Sequence, residues 1–352
     1  MANTHVEQYG YQIVKGWDIP DTMRALTLHA YDGADLRVEQ LPLPHPGPGE
    51  VLIRMHAAPI NPSDLMFVRG MYGFTKQLPV VPGFEGSGTV VGAGSWWAAA
   101  TLLGRRVACA APDDGNGTWA EYMRTDALRC IPLLPSISSE RGAMLIVNPL
   151  TAWALVDLAR RGKHRAIVQT AAASALGKMI VRLAQRYNLT LINIVRREEQ
   201  AAQLRTLGAT HVLDSSPPDF DEQLRELCHS LHATLALDAV AGEMTGRLLQ
   251  AMPRGSRVTV YGALSEAACQ IHPIDPIFRG KRVDGFWLSD WFRTQGPLDA
   301  LRAGLSVQRL LGGDLKSEVR ACLPLEEGKR GLELYANRMT EGKVLLMPGM
   351  RR

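Results

Sequence analysis

Apolar positions follow two rhythms along the 352-residue chain. Through residues 23–135, short apolar runs alternate with Pro- and Gly-rich breaks: MRALTLHAY, EVLIRMHAA, GSGTVVGAG, RVACAAP and AEYMRT. Runs at turn-separated intervals predict an irregular β domain. LPLPHPGPGE (41–50) carries four prolines and fits neither a helix nor a central strand. SWWAAATLLG (95–104) reads as a short helical or looped insert, with Trp96 and Trp97 as packing or surface residues.

From about residue 140 the period lengthens. The pattern predicts an apolar helix over 140–161, a buried strand AIVQT (166–170) and a helix over 174–188. TLINIV (190–195) is the next strand, followed by the helix EEQAAQLRTLG, then THVLD, a helix over 219–230, ATLALDAV, a helix near 243–251 and SRVTVYG. Strands alternating with helices predict a parallel, doubly wound sheet. KRVDGFWL (281–288) reads as a further strand at its edge, which invites pairing. The tail LPLEEGKRGLELYANRMTEGKVLLMP reads as a helix and a strand broken at Gly342. The expected division is an N-terminal extension over 1–22, ordered only in part, a β domain over 23–145 and a nucleotide domain over 146–292. A segment over 293–352 then returns to the β domain.

Composition narrows the class. At 46% hydrophobic and 21% charged residues the chain is ordinary globular protein, long enough for two cores. No apolar run reaches the ~18 residues of a spanning helix, so membrane insertion is not expected. A net charge of +4 without a basic block gives no footprint for nucleic acid. Cys109, Cys130, Cys228, Cys269 and Cys322 form no CxxC pair, which suits a reducing, cytoplasmic setting. The N-terminus carries Glu7 and Asp18 and no apolar stretch, unlike a signal peptide. His229 and His232 lack further ligands nearby, and His56 has no Cys or Glu partner at metal spacing. No zinc site is expected.

The nucleotide turn departs from GxGxxG. After AIVQT comes AAASALG: Ala173, Ser174, Ala175, Leu176 and, at the last glycine position, Gly177. Small residues still allow a tight turn and bring helix N–H groups to a pyrophosphate; Ser174 adds a hydroxyl. The second strand ends in Arg196 and Arg197. A guanidinium pairs with a 2′-phosphate where a carboxylate would repel it, which favours NADPH. GFEGSG (83–88) precedes a strand and reads as turn glycines.

Tyr72 sits between Gly70 and Gly73 in INPSDLMFVRGMYG. It is either a wall of the core or a hydroxyl presented to a ligand. An ordinary phenol, with pKa near ~10, is protonated at pH 7.

Together these stretches resemble the medium-chain dehydrogenase/reductase superfamily across roughly residues 23–349. The implied fold is a GroES-like irregular β domain joined to a doubly wound α/β (Rossmann) domain. Zinc alcohol dehydrogenases of that superfamily carry Cys where this chain has Asn61, and Gly-His-Glu where it has Gly83, Phe84 and Glu85. The resemblance is therefore to the zinc-free branch. INPSDLMFVRGMYG, VNPLTAW (147–153), INIVRRE and GFWLSDW (285–291) resemble mitochondrial-type 2-enoyl thioester reductases within it.

That resemblance implies NADPH-dependent reduction of the C=C bond of an α,β-unsaturated acyl thioester, with Tyr72 as acid and a homodimer as the assembly. It places Asn148 near the nicotinamide and Arg196 and Arg197 at the 2′-phosphate. Tyr261, Gly262, Ala263 and Leu264 would line the cofactor, with Phe286, Trp287, Leu288 and Ser289 at its nicotinamide end. Lys343 matches a tail lysine that reaches the cofactor, and Asn61, Trp287 and Trp291 fall to the substrate pocket. Phe67 and Phe74 line the same cleft or belong to the core. Ala173 stands where the reductases often have Asn, a loss worth roughly 1 kcal/mol of hydrogen bonding, and Ala175 where Gly is usual. Two other readings stay open: a quinone or enone reductase, and a nucleotide-binding protein with little catalysis.

Overall fold

The computed structural model describes residues 4–5, 10–33 and 35–350. In chain order the strands and helices begin β1 Thr4–His5, β2 Gln12–Val14, β3 Thr22–Leu28, β4 Leu36–Pro42, β5 Glu50–Pro59, α1 Pro62–Val68, β6 Glu85–Ala93 and α2 Trp97–Ala100. They continue with β7 Arg106–Ala110, β8 Tyr122–Asp126, β9 Cys130–Pro132, α3 Ser139–Ala143, α4 Thr151–Arg161, β10 Ala166–Gln169, α5 Ala175–Arg186 and β11 Thr190–Val195. Next come α6 Glu198–Thr206, β12 His211–Asp214, α7 Phe220–Ser230, β13 Ala233–Asp238, α8 Glu243–Ala251, β14 Arg257–Val260, α9 Ile274–Arg279 and β15 Arg282–Gly285. The chain closes with α10 Leu288–Thr294, α11 Pro297–Leu310, β16 Val319–Leu323, α12 Gly328–Asn337 and β17 Lys343–Leu346.

Two compact units result. The first comprises Met1–Val147, Pro297–Gly312 and Lys316–Arg352; the second comprises Asn148–Gly296 and Gly313–Leu315. Among the described residues no helix is long and apolar enough to cross a membrane.

The first unit is built on a nine-stranded sheet with the path β1-β2-β6-β5-β17-β16. The central β5 and β6 are buried almost throughout. Their pairing shifts register between Leu52 and Ile53 and again between Met55 and Ala57. Gly86 and Gly88 lie inside β6, as the run GSGTVVGAG predicts and against the reading of GFEGSG as turn glycines. A Cβ on Gly88 would stand 2.2 Å from the Arg54 carbonyl oxygen, so glycine is what lets the two backbones close at this irregular pairing. The segment expected to be an extension also joins this sheet: Gln12 and Ile13 pair with Ala93 and Gly92, and Tyr11 is buried. The alternation there is too short and polar to announce a strand.

The continuous helix expected over 140–161 is broken in two. Between α3 and α4 the chain makes a π-helical turn over Ile146–Leu150 containing Pro149. Proline removes one ladder donor and clashes with the preceding turn, so the α pattern cannot run through it.

The second unit holds a six-stranded sheet in the order β12-β11-β10-β13-β14-β15, with every adjacent pair parallel. This is the doubly wound order, with its reversal between β10 and β13, where such sheets take ligands. The core packs Val168, Ile192, Ile194, Leu224, Ala236 and Leu248 under the helices. The last strand is shorter than GFWL implied: β15 ends at Gly285 and α10 begins at Leu288.

Candidate active site

The first unit places a cluster of ionisable and amide groups where apolar residues would be expected. Asn61 stands at the N-cap of α1, with Pro62 directly after it, where a fixed φ and a missing N–H cost nothing. Asn61 N–H donates to Asp64 Oδ2 at 2.8 Å, and Phe84 N–H donates to Asp64 Oδ1 at 3.1 Å. Asn61 Nδ2 donates to Glu85 Oε1 at 3.0 Å, while Lys343 Nζ donates to Asn61 Oδ1. The amide thus has one orientation that serves both charged neighbours. Glu85 Oε2 accepts from the N–H groups of Ile146 and Val147, each at 2.9 Å. It thereby caps the start of the π-helical turn. Lys343 also lies over the Tyr335 ring.

Lys343 arrives there because β17 enters the sheet between β5 and β16. Ile60 N–H donates to Val344 O at 2.9 Å, which seats the lysine beside the next residue, Asn61. Asn61, Asp64 and Glu85 are each 0% exposed and Lys343 is 2% exposed. Asn61, expected to line a substrate pocket, has both ends of its amide engaged inside this unit. Lys343, expected to reach a cofactor, lies on a strand whose four residues are all buried.

Burial governs the ionisation of the cluster. It pushes the Asp64 carboxyl up to about 7, with its two backbone donors and Lys343 opposing and Glu85 adding. It also raises Glu85 against its hydrogen bonds and Lys343, and lowers Lys343 to about 8 against the two carboxylates. Deep charges of this kind persist only when paired and hydrogen-bonded.

Tyr72 lies just beyond α1, half-buried against the core of the same unit. Its ring sits 4.7 Å from Phe84 and 5.1 Å from Phe74, centroid to centroid. Phe84 is the residue whose N–H Asp64 holds. Phe67 is fully in the core, and Phe74 packs on it from the edge.

In the second unit, the turn after β10 is built from backbone contacts and one glycine. Ala171 adopts a positive φ of 49°, Ala172 N–H donates to Ile194 O at 3.1 Å, and Ser174 Oγ accepts from Gly177 N–H at 3.0 Å. That leaves the Ser174 hydroxyl proton available to a ligand. A Cβ at Gly177 would meet Ala172 O at 2.4 Å, so glycine is required at this position while Ala173 and Ala175 are tolerated. Leu176 lies beside it in the first turn of α5, half-buried.

Beneath the turn runs a buried network that motif reading missed. Gln169 Nε2 donates to Gly177 O and to Asn193 Oδ1. Asp238 accepts from Thr170 Oγ1, Thr245 Oγ1 and the N–H groups of Val240 and Ala241. The available signal was polar residues, Gln169, Thr170, Asn193 and Asp238, in or next to mostly apolar strands.

Arg196 and Arg197 are exposed at the C-terminal end of β11. Their guanidinium groups make no hydrogen bond or ion pair among the described residues. The Tyr261 hydroxyl is buried with no hydrogen-bond partner among the described residues. Gly262 presses on Ala239, whose carbonyl oxygen a Cβ would meet at 2.8 Å. Ala263 follows half-buried, and Leu264 is exposed. Asn148 is buried at the start of this unit. Phe286, Leu288 and Ser289 are half-buried, Trp287 is exposed beneath Arg293, and Trp291 packs edge-on against Trp153. The glycine turn, the free Ser174 donor, the orphaned Tyr261 hydroxyl and the open guanidiniums fit a phosphorylated dinucleotide. Zinc does not fit the first-unit cluster, whose place beside Asn61 Oδ1 is taken by an ammonium.

Known proteins resemble the chain along most of its length. Residues 47–136 match the alcohol dehydrogenase GroES-like domain and residues 175–302 the zinc-binding dehydrogenase family. The mitochondrial enoyl-[acyl-carrier-protein] reductase of Xenopus tropicalis is 30% identical over 322 residues, 85% of this chain and 87% of the relative. The human enzyme of the same name is 29% identical over 346 residues, covering 93% and 89%. A putative NADPH:quinone reductase from Mesorhizobium loti superposes with a TM-score of 0.85 at 38% identity, covering 94% of this chain and all of that one. A mycobacterial protein solved in complex with NADPH gives a TM-score of 0.78 at 25% identity over 93% of this chain and all of that one.

The buried cluster sets two opposite pH slopes. Between 3.8 and about 7 the folded protein keeps a proton on Asp64 that the unfolded chain has released, so stability falls as pH rises through that window. Between about 8 and 10.5 the unfolded chain holds a proton that folded Lys343 has lost, so stability rises with pH there. Lys343→Met is expected to diminish that alkaline rise and to cost about 3–5 kcal/mol at pH 7 by stranding the carboxylates, as read by urea unfolding across pH.

Proposed function

The chain belongs to the medium-chain dehydrogenase/reductase superfamily of NAD(P)-dependent oxidoreductases, and we propose that it is an NADPH-dependent, zinc-independent reductase of α,β-unsaturated acyl thioesters. The observation that carries this reading is Tyr72, a phenol set on the aromatic cluster at the end of α1. The names of its relatives, enoyl-[acyl-carrier-protein] reductases, support the same substrate class.

NADPH, when bound, supplies the hydride that reaches the β-carbon. The chain's own work is to bind, orient and protonate. Arg196 and Arg197 would take the 2′-phosphate, and the turn from Ala173 to Gly177, with the Ser174 hydroxyl, the pyrophosphate. Asn148, the segment Tyr261–Leu264 and the segment Phe286–Ser289 would surround the remainder of the cofactor, with Trp291 toward the substrate. As negative charge gathers on the thioester carbonyl, the Tyr72 hydroxyl donates to it more strongly than to the ground state. It gives its proton to the α-carbon as the hydride arrives at the β-carbon.

Quinone reduction is the second reading, favoured by the Mesorhizobium loti neighbour. A quinone takes hydride with little need of a placed acid. A 2-enoyl-CoA series and a quinone panel assayed side by side separate the two. Thioesters are expected to be preferred more than tenfold, and Tyr72→Phe to lose about 10²-fold or more of thioester turnover with NADPH affinity nearly unchanged. A tenfold preference for quinones, or a fully active Tyr72→Phe, would overturn the proposal.

Cofactor choice is tested separately. Replacing both Arg196 and Arg197 by Ala should weaken NADPH by about 10–100-fold, the worth of one or two charge-assisted bonds, and leave NADH binding almost unchanged. A homodimer completes the reading. β15 is an edge strand, and Ile277 and Phe278 on the preceding helix are 67% and 66% exposed. Light scattering should give a dimer mass for the native chain and a monomer mass for Ile277→Asp.

A further inference from the structure

The Tyr72 loop raises a mechanical problem. Residues 69–79 form neither helix nor strand, and Tyr72 stands between two flexible joints. Gly70 has a φ of 71°, and a Cβ on Gly73 would meet nothing within 4 Å. Ordering such backbone costs conformational entropy at every residue, so a fixed phenol needs tie points outside the loop.

The structure provides two. The Tyr31 hydroxyl accepts from Lys76 N–H at 2.6 Å and donates to Lys76 O at 2.7 Å. The same side chain underlies Gly70, where a Cβ would stand 3.0 Å from Tyr31 Cβ. Tyr31 therefore touches both ends of the segment that carries Tyr72. Beyond it, Lys76 Nζ reaches across to a different loop and donates to Pro112 O at 2.8 Å and Gly115 O at 2.7 Å. The ammonium lies about equally far from the Phe67 and Phe74 rings, at 5.9 and 6.0 Å, and Phe74 is one of the two rings, with Phe84, against which Tyr72 packs.

We propose that Lys76 is a positioning residue for the reduction: docked on the Pro112 and Gly115 carbonyls, it fixes Phe74 and through it the Tyr72 hydroxyl. This rests on the reading of Tyr72 as the acid. A surface lysine would be free to swing. This one is anchored by two carbonyls and two rings, which would hold one geometry. Burial lowers its ammonium to about 8, while Asp113 and Asp114 favour the charge and Arg129 opposes it, so it still carries its proton at pH 7. Displacing a reacting group by about 1 Å costs on the order of 10²-fold in rate, so a loop held at one end only should be slow without being unfolded.

A double-mutant cycle on thioester turnover tests this. Lys76→Met is expected to lower kcat by about 10–100-fold with NADPH affinity unchanged. In a Tyr72→Phe background it should add less than about twofold, because the group it positions is gone. Tyr31→Phe, which removes one hydroxyl, should lower kcat in the same direction and show the same loss of effect in the Tyr72→Phe background, so the cycle remains readable if Lys76→Met folds poorly. Equal fold-losses in both backgrounds would show a general structural role and overturn the proposal, as would an unchanged kcat in Lys76→Met. A Tyr72→Phe variant as active as the native enzyme would instead sink the acid role itself, a separate outcome.

Discussion

One buried bridge organises the first unit: the Lys343 ammonium and the Glu85 carboxylate, joined through the two ends of the Asn61 amide. It links residues 282 positions apart in the chain, and it draws together the returning tail strand, the start of α1 and the start of β6. Asp64 extends it to the Phe84 backbone, and Glu85 extends it to Ile146 and Val147. Charges buried this deeply give little net stability, but breaking such a set is costly. The bridge therefore specifies where α1 begins, and hence where the loop after it carries Tyr72. The chemistry proposed for the phenol depends on this buried frame.

The alternating strands and helices of the second unit were legible because a parallel sheet covered on both faces writes each strand as a short apolar run. AIVQ and TLINIV lie where the pattern put them. The break between α3 and α4 was masked by an apolar pattern that continues past Pro149, and the carboxylate that caps it, Glu85, lies 61 positions away in the chain. The N-terminal strand was missed because Gln12–Val14 is only three residues long. Gly86 and Gly88 were taken for turn residues because the close approach that requires them depends on a register shift in another strand.

The site divides in the same way. Tyr72, the Ser174–Gly177 turn and the two arginines are local signals, and the sequence displays them directly. The cluster of Asn61, Asp64, Glu85 and Lys343 is not local: each residue reads as an ordinary polar position until the sheet brings them together. Tyr31 and Lys76 were equally silent, since nothing within the loop shows that a phenol 45 positions earlier brackets it. Gln169 and Asn193 did leave a trace, as amides in apolar strands, which a buried polar partner must explain.

The account stands on the Tyr72 hydroxyl as the proton donor that acts together with hydride transfer. Single-turnover oxidation of NADPH by a 2-enoyl thioester, timed in H2O and in D2O, addresses this most directly. A slower reaction in D2O for the native enzyme, with that sensitivity largely gone in Tyr72→Phe, is the predicted result. The same solvent effect in both proteins would mean that the proton comes from elsewhere and would contradict the account.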